Sequence, residues 1–168
     1  MQRGWVRAVT TLTTVLIMAV IFLFSMQPAV DSDRTSGVIS LQVARLIRPE
    51  FDSLPEDEKT DYFNRVQTVV RKCAHFLEYW ALGLSLRLCL ESWLFRRRRL
   101  GWAAWLGGAA WAVIDEIHQT IVDGRAGQLP DVALDGFGVL CGVLLGTWLI
   151  LRFMDPGRSS KPRRRKDG

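Results

Sequence analysis

From residue 8 to residue 26 the chain carries no charged side chain. Such a run of about 19 residues makes roughly 28 Å of α-helix, close to the thickness of a bilayer's hydrocarbon core. A soluble core helix of that length normally keeps a polar face. The run therefore predicts a first transmembrane helix over about residues 6–26. A signal peptide is the competing reading, with Arg3 and Arg7 as its basic flank and residues 15–24 as its apolar centre. Cleavage requires small residues at two fixed positions, and Phe24-Ser25-Met26-Gln27-Pro28 matches poorly. A retained anchor is the better expectation, because further apolar segments follow.

Those segments predict three more spans, over about residues 73–95, 100–121 and 132–153. The expected fold is all-α: a polytopic bundle of four transmembrane helices in one domain, residues 6–153. A basic, disordered tail follows over residues 154–168. Net charge is +5, and the excess is local. Arg3 and Arg7 precede the first span, Arg96-Arg97-Arg98-Arg99 joins the second to the third, and Arg152 with the basic tail follows the fourth. An even number of spans puts all three segments on one side. The positive-inside rule makes that side the cytoplasm. The chain is thus expected in the cell membrane as a multi-pass protein with both termini cytoplasmic. Basic runs flanking membrane spans read as orientation signals and contacts to anionic membrane lipids, not as a nucleic-acid surface. Cys73, Cys89 and Cys141 fit no zinc or redox spacing and fall in predicted spans, so they read as small buried side chains.

The first outer loop carries two short helical patterns. Val38, Ile39, Val43, Leu46 and Ile47 recur at helical spacing up to Pro49, which suits a short amphipathic helix on the membrane surface. Ser53-Leu54-Pro55-Glu56 has the form of a capping box, and acids at 56–58 suit a helix N-terminus. Tyr62, Phe63, Val66, Val69 and Val70 then continue an apolar face that can run directly into the second span. Gly138, Gly142 and Gly146 place small residues on one stripe of the fourth span. Gly101, Ala104 and Gly108 do so on the third. Such stripes let helices approach closely, so tight contact between the third and fourth spans is expected. Trp102, Trp105 and Trp111 read as packing or lipid contacts. Arg87, inside the second span, is expected to snorkel or to pair with Glu91 one turn on.

Ionisable residues gather at one depth. His75 and Glu78 lie near the outer end of the second span. Asp115, Glu116, His118 and Gln119 lie near the outer end of the third, and Asp131 and Asp135 open the fourth. Residues three or four apart share a helix face. This pairs His75 with Glu78, Asp115 with His118 and Gln119, and Asp131 with Asp135. An intramembrane charge costs roughly 2.5–3.5 kcal/mol on insertion scales and usually marks function. Several acids at one level repel one another unless bases, protons or a metal compensate. Arg71, Lys72 and Arg125 are the nearest bases in depth, and topology places the whole cluster outward.

Taken with their spacing, these residues resemble a known signature. Arg71-Lys72-Cys73-Ala74-His75-Phe76-Leu77-Glu78-Tyr79, with Leu82-Gly83 after it, is similar to the first motif of the VanZ-like family. Asp115-Glu116-Ile117-His118-Gln119, Gly124-Arg125, and Asp131 and Asp135 with Gly138 and Gly142 resemble the second. Phe24-Ser25-Met26-Gln27-Pro28, with Ser32 and Ser36, is similar to the segment after the family's first span. The resemblance covers about residues 20–150. Phe137 and Met26 depart from the usual pattern without touching the ionisable set. The resemblance implies a small membrane protein of the cell envelope, in a family whose founding member is linked to resistance to the glycopeptide antibiotic teicoplanin. It names no reaction and no cofactor.

Three classes of function fit these residues. In the first, Arg71, Lys72 and Arg125 engage an anionic headgroup, either a phospholipid or a lipid-linked cell-wall precursor, at the surface where a glycopeptide meets its target. Gln27, Gln119, Asp131 and Asp135 complete the binding set. In the second, His75, Glu78, Asp115, Glu116 and His118 supply acid–base catalysis on lipid-linked phosphate or glycan. A metal variant of this class uses His75, Glu78, Asp115 and His118, although no compact metal motif is present. In the third, the polar residues only brace the bundle. Oligomeric state is not encoded in any of these features.

Overall fold

The computed structural model describes residues 2–27, 29–94, 99–122 and 128–154. Arg125, residues 96–98 of the arginine run and the tail from residue 155 lie outside them, as does the side chain of Ser32. The described residues are all-α with no strand. Helix α1 is Gln2–Ser25, α2 is Ala29–Ile47, α3 is Glu56–Leu94, α4 is Leu100–Gln119 and α5 is Leu129–Leu149. A 3-10 turn, Pro49–Ser53, joins α2 to α3, and a π-helical turn, Ile150–Met154, extends α5. Among the described residues, two helices are long and apolar enough to cross a membrane: Gly4–Ser25, of mean hydropathy 2.2, and Leu129–Phe153, of mean hydropathy 1.9.

The element boundaries follow local chemistry. Helix α1 stops ahead of Pro28, which disfavours helix in the residue before it. Helix α2 stops two residues before Pro49, with Arg48 extended at φ −128° and ψ 90°. Helix α3 opens with Glu56, Asp57 and Glu58 on the positive end of its dipole. The anticipated capping box does not form. The Ser53 hydroxyl donates backward to the Glu50 carbonyl at 2.7 Å, and the Pro55 carbonyl accepts the Lys59 N–H instead. The 3-10 turn has captured Ser53, because burying Phe51 there closes the chain before α3 starts. Past that point the loop helix and the second apolar segment are one unbroken helix of 39 residues.

Helix α3 is the centre of the molecule. Its N-terminal half packs on α2 around a small core of Ala44, Phe51 and Val66, with Tyr62, Phe63 and Val70 against it. The inward face of α2 consists of small residues: Ser40 and Ala44 are fully buried, and Gly37 approaches Phe63. Val38, Ile39, Leu46 and Ile47 point outward and are exposed. The C-terminal half of α3 packs in the main core with Ile21 of α1, Leu82 of α3, Ala104 and Ala112 of α4, and Val139 and Val143 of α5.

The glycine stripe of α5 faces α3, not α4. A Cβ on Gly142 would collide with the Trp80 carbonyl and the Leu84 N–H, and one on Gly138 would meet the Phe76 carbonyl. In return, a Cβ on Gly83 of α3 would strike the Val139 backbone. The closest backbone approach therefore joins α3 and α5, which run parallel. Helix α4 packs against side chains of α5, with Gly108 under Val139 and Gly101 near Val143 and Thr147. Sequence periodicity identifies a small face correctly but does not say which neighbour uses it.

At the end opposite the acidic cluster, α1 is stitched to α3. Arg7 Nε donates to the Ser92 carbonyl at 3.0 Å, and the Thr10 and Ser92 hydroxyls share a hydrogen bond of 3.1 Å. Trp93 Nε1 donates to Thr11 at 3.0 Å. Arg87 does pair with Glu91, at 2.9 Å in a buried setting, and its Nε also donates to Thr147 Oγ1 of α5 at 3.1 Å. The three cysteines are free, and Cys73 is exposed.

Candidate functional site

The opposite end of the bundle brings together polar residues from four helices. Asp115, four residues before the end of α4, is 1% exposed. Its Oδ2 accepts 2.7 Å from the Ser25 hydroxyl at the last residue of α1. The same oxygen accepts 3.1 Å from Gln119 Nε2, one turn on in α4. Gln119 Nε2 also reaches the Ser25 oxygen at 3.4 Å. One carboxylate thus ties the end of α1 to the end of α4. Oδ1 of Asp115 is buried and has no hydrogen-bond partner among the described residues.

Asp135, on the second turn of α5, is likewise 1% exposed, and its Oδ1 has no partner among the described residues. The Tyr79 hydroxyl of α3 is also buried and has no hydrogen-bond partner among the described residues. The carboxylates around Asp135 are Asp115, Glu116, Asp131 and Glu78. Of these acids, Asp115 and Asp135 are fully buried. Trp111 adds a buried, unpartnered indole N–H.

The remaining acids are engaged nearer the rim. Glu116 Oε1 accepts the Gln128 backbone N–H. Gln128 is the N-cap residue of α5 and makes no side-chain cap of its own. A carboxylate at this spot satisfies an orphan amide and meets the positive end of the α5 dipole. Replacing Glu116 with alanine is expected to destabilise the protein by about 1.5–3 kcal/mol, the range for a hydrogen bond to a charged group. Thermal unfolding in detergent would measure it, with Glu116→Gln recovering part of the loss. Asp131 pairs with Lys72 of α3 at 2.9 Å, with side chains 36% and 46% exposed.

The two histidines are placed differently. His118 lies against the Phe22 ring of α1, with ring centroids 4.7 Å apart. Its Nδ1 is buried without a partner among the described residues, so the helical spacing to Asp115 does not become a bond through that nitrogen. His75 is half-buried on α3, one turn before Glu78. Arg71 and Gln27 are half-buried near the same end. Among the described residues, no three His, Cys, Asp or Glu side chains converge as metal ligands. Ser25 and Tyr79 were not singled out from sequence as site residues. Both stand inside the family-like motifs, and that position was the available signal.

Among the described residues the chain is thus an all-helical bundle with two helices of membrane-spanning length and a buried, carboxylate-rich polar cluster at one end. The family described as VanZ/LLP1 matches residues 10–151, and the chain belongs to that family. No curated protein and no solved structure is significantly similar to it.

Proposed function

We propose that the protein binds an anionic headgroup at the extracytoplasmic face of the cell membrane, at the mouth formed by Lys72 and Asp131. The observation that carries this reading is the ion pair itself. It is well formed at 2.9 Å yet more than a third exposed on both partners. Exposed pairs of this kind are worth only about 0–1 kcal/mol, so a phosphate can take Asp131's place on Lys72 at little cost. Arg71 on the same helix and Arg125 between α4 and α5 supply the forked donors that suit phosphate. With four spans, the positive-inside rule would face this mouth outward and keep both termini in the cytoplasm. A phospholipid and a lipid-linked cell-wall precursor share the required chemistry. The second would connect the protein to the teicoplanin phenotype associated with the family.

The buried atoms argue against a purely bracing role. A network that only holds helices together gains most when every member is satisfied. Here Asp115, Asp135, Tyr79, His118 and Trp111 each keep a buried polar atom without a hydrogen-bond partner among the described residues.

The test is lipid retention by the purified full-length protein, read by native mass spectrometry with phosphatidylglycerol against phosphatidylcholine. Lys72→Gln and Arg125→Gln are each expected to weaken retention of the anionic lipid about tenfold, the loss of one charge-assisted hydrogen bond. Retention of phosphatidylcholine should stay unchanged. Equal retention of both lipids by wild type and variants would sink the reading.

A further inference from the structure

We propose that the end of the bundle opposite the buried acids is a collar that seats among anionic phospholipid headgroups. Trp5, Trp93, Trp102 and Trp148 form its aromatic ring, and Arg7 and Arg152 supply its cations. The inference concerns the other end of the bundle from the Lys72–Asp131 mouth and does not rest on it.

The chain has seven tryptophans. These four are more than half exposed, and each comes from a different helix of the main bundle. Trp5 lies in the first turn of α1, and Trp93 is the next-to-last residue of α3. Trp102 is the third residue of α4, and Trp148 the next-to-last of α5. Trp80, Trp105 and Trp111 are partly buried. Side-chain contacts bring the four helix ends to one level. Arg7 Nε bonded to the Ser92 carbonyl, and Trp93 Nε1 bonded to Thr11, join the start of α1 to the end of α3. Arg87 joins α3 to Thr147, the neighbour of Trp148. A Cβ on Gly101, the neighbour of Trp102, would touch that same Thr147.

The cations lie against aromatic rings. The Arg7 guanidinium is 5.1 Å from the Trp93 ring centroid. Arg152 is 5.5 Å from the Phe153 ring, which stands edge-on to Trp148 at 6.2 Å. A guanidinium carries five N–H donors, and the Arg7 bond to Ser92 uses one. Glu91, the acid of this end of α3, is buried against Arg87.

This combination matches the edge of a bilayer. Tryptophan, apolar in body with one N–H, favours the boundary between hydrocarbon and water. Arginine is drawn to anionic headgroups and its fork fits phosphate. From the collar toward the acids the helices expose aliphatic side chains, among them Leu12, Leu16, Leu106, Val113 and Leu144. The collar is therefore the rim of an apolar belt. A second copy of the chain would cover one side of the bundle, whereas rings on four helices at one level fit a planar partner. On this reading α3 and α4 end at the same membrane plane as α1 and α5, the two helices of spanning length.

The test is fluorine NMR of the full-length protein, labelled with fluorotryptophan, in lipid nanodiscs. Single Trp→Phe variants assign the signals. A nitroxide on the phosphatidylcholine headgroup is expected to broaden Trp5, Trp93, Trp102 and Trp148 more than a mid-chain nitroxide or a soluble gadolinium chelate does. Replacing phosphatidylcholine with phosphatidylglycerol is expected to shift the Trp93 signal. Arg7→Gln should abolish that shift, and Arg7→Lys should keep part of it. If Arg7→Gln fails to fold, Arg152→Gln and the Trp148 signal decide the same point. The proposal is overturned if the chelate or the mid-chain nitroxide broadens any of the four most. It is overturned equally if no labelled lipid reaches them, as a contact with a second copy would cause. A wild-type Trp93 signal indifferent to phosphatidylglycerol also overturns it. So does loss of the shift in Lys72→Gln, because the lipid would then act from the mouth.

Discussion

Gly142→Val is expected to separate α3 from α5 and to destabilise the bundle by about 3 kcal/mol, the upper range for overpacking a well-packed site. The reason lies in what a side chain would meet. The space beside Gly142 is filled by the backbone of Trp80 and Leu84, not by the flexible end of a side chain. A backbone cannot rotate away, so one helix must move. Movement there also shifts Tyr79, whose Cβ sits against Gly138 one turn earlier on the same seam. Gly107→Ala and Gly136→Ala are the controls. A Cβ at either position meets nothing within 4 Å, and both changes are expected to be neutral or slightly stabilising through higher helix propensity. Steric-trap or denaturant unfolding in bicelles would separate the two outcomes. If Gly142→Val and Gly107→Ala unfold alike, the close approach of α3 and α5 is not what holds the bundle.

The second large effect is expected at the far end of α3. Glu91→Ala leaves the Arg87 guanidinium buried opposite Thr147 without its carboxylate. Breaking one side of a buried pair typically costs about 3–5 kcal/mol, because the surviving charge is uncompensated. The double variant Arg87→Met with Glu91→Leu removes both charges and keeps similar volume. It is expected to recover most of the loss, since buried pairs replaced by apolar residues are often neutral. Unfolding measurements on the two single variants and the double variant give the coupling directly. A double variant as unstable as Glu91→Ala would mean that the damage comes from lost packing. The sequence placed Arg87 within reach of Glu91 but gave no sign that Thr147 would join them, because that contact crosses to another helix.

The same distinction explains what could be read from sequence and what could not. The uncharged run of α1, the stop at Pro49 and the acidic start of α3 are local signals, and each has a matching element. The VanZ-like motifs led to the family. Contacts between elements were less legible. The glycine repeat of α5 identified a close-packing face, but its partner depends on the rotation of α5 in the bundle, which periodicity leaves open. The Ser53 capping pattern was overridden by a turn that buries Phe51, a tertiary preference invisible in four residues. Ser25 is an unremarkable hydroxyl at the end of an apolar run until α4 places Asp115 beside it. Tyr79 reads as an ordinary aromatic in a span until packing of the other helices buries its hydroxyl.

Helix α3 contains no proline and a single glycine, Gly83, over its 39 residues. At 1.5 Å per residue it is a rod of about 58 Å. Val66 on this rod sits in the outer core, Tyr79 beside the buried acids, and Arg87 in the distant ion pair. The rod's parallel seam with α5 runs from Phe76 against Gly138 to Arg87 against Gly146 and fixes this half of the rod. The α2–α3 hairpin, Tyr79 and Arg87 therefore share one continuous helix, half of it held by that seam. Whatever grips the hairpin therefore has a mechanical line to both ends of the bundle.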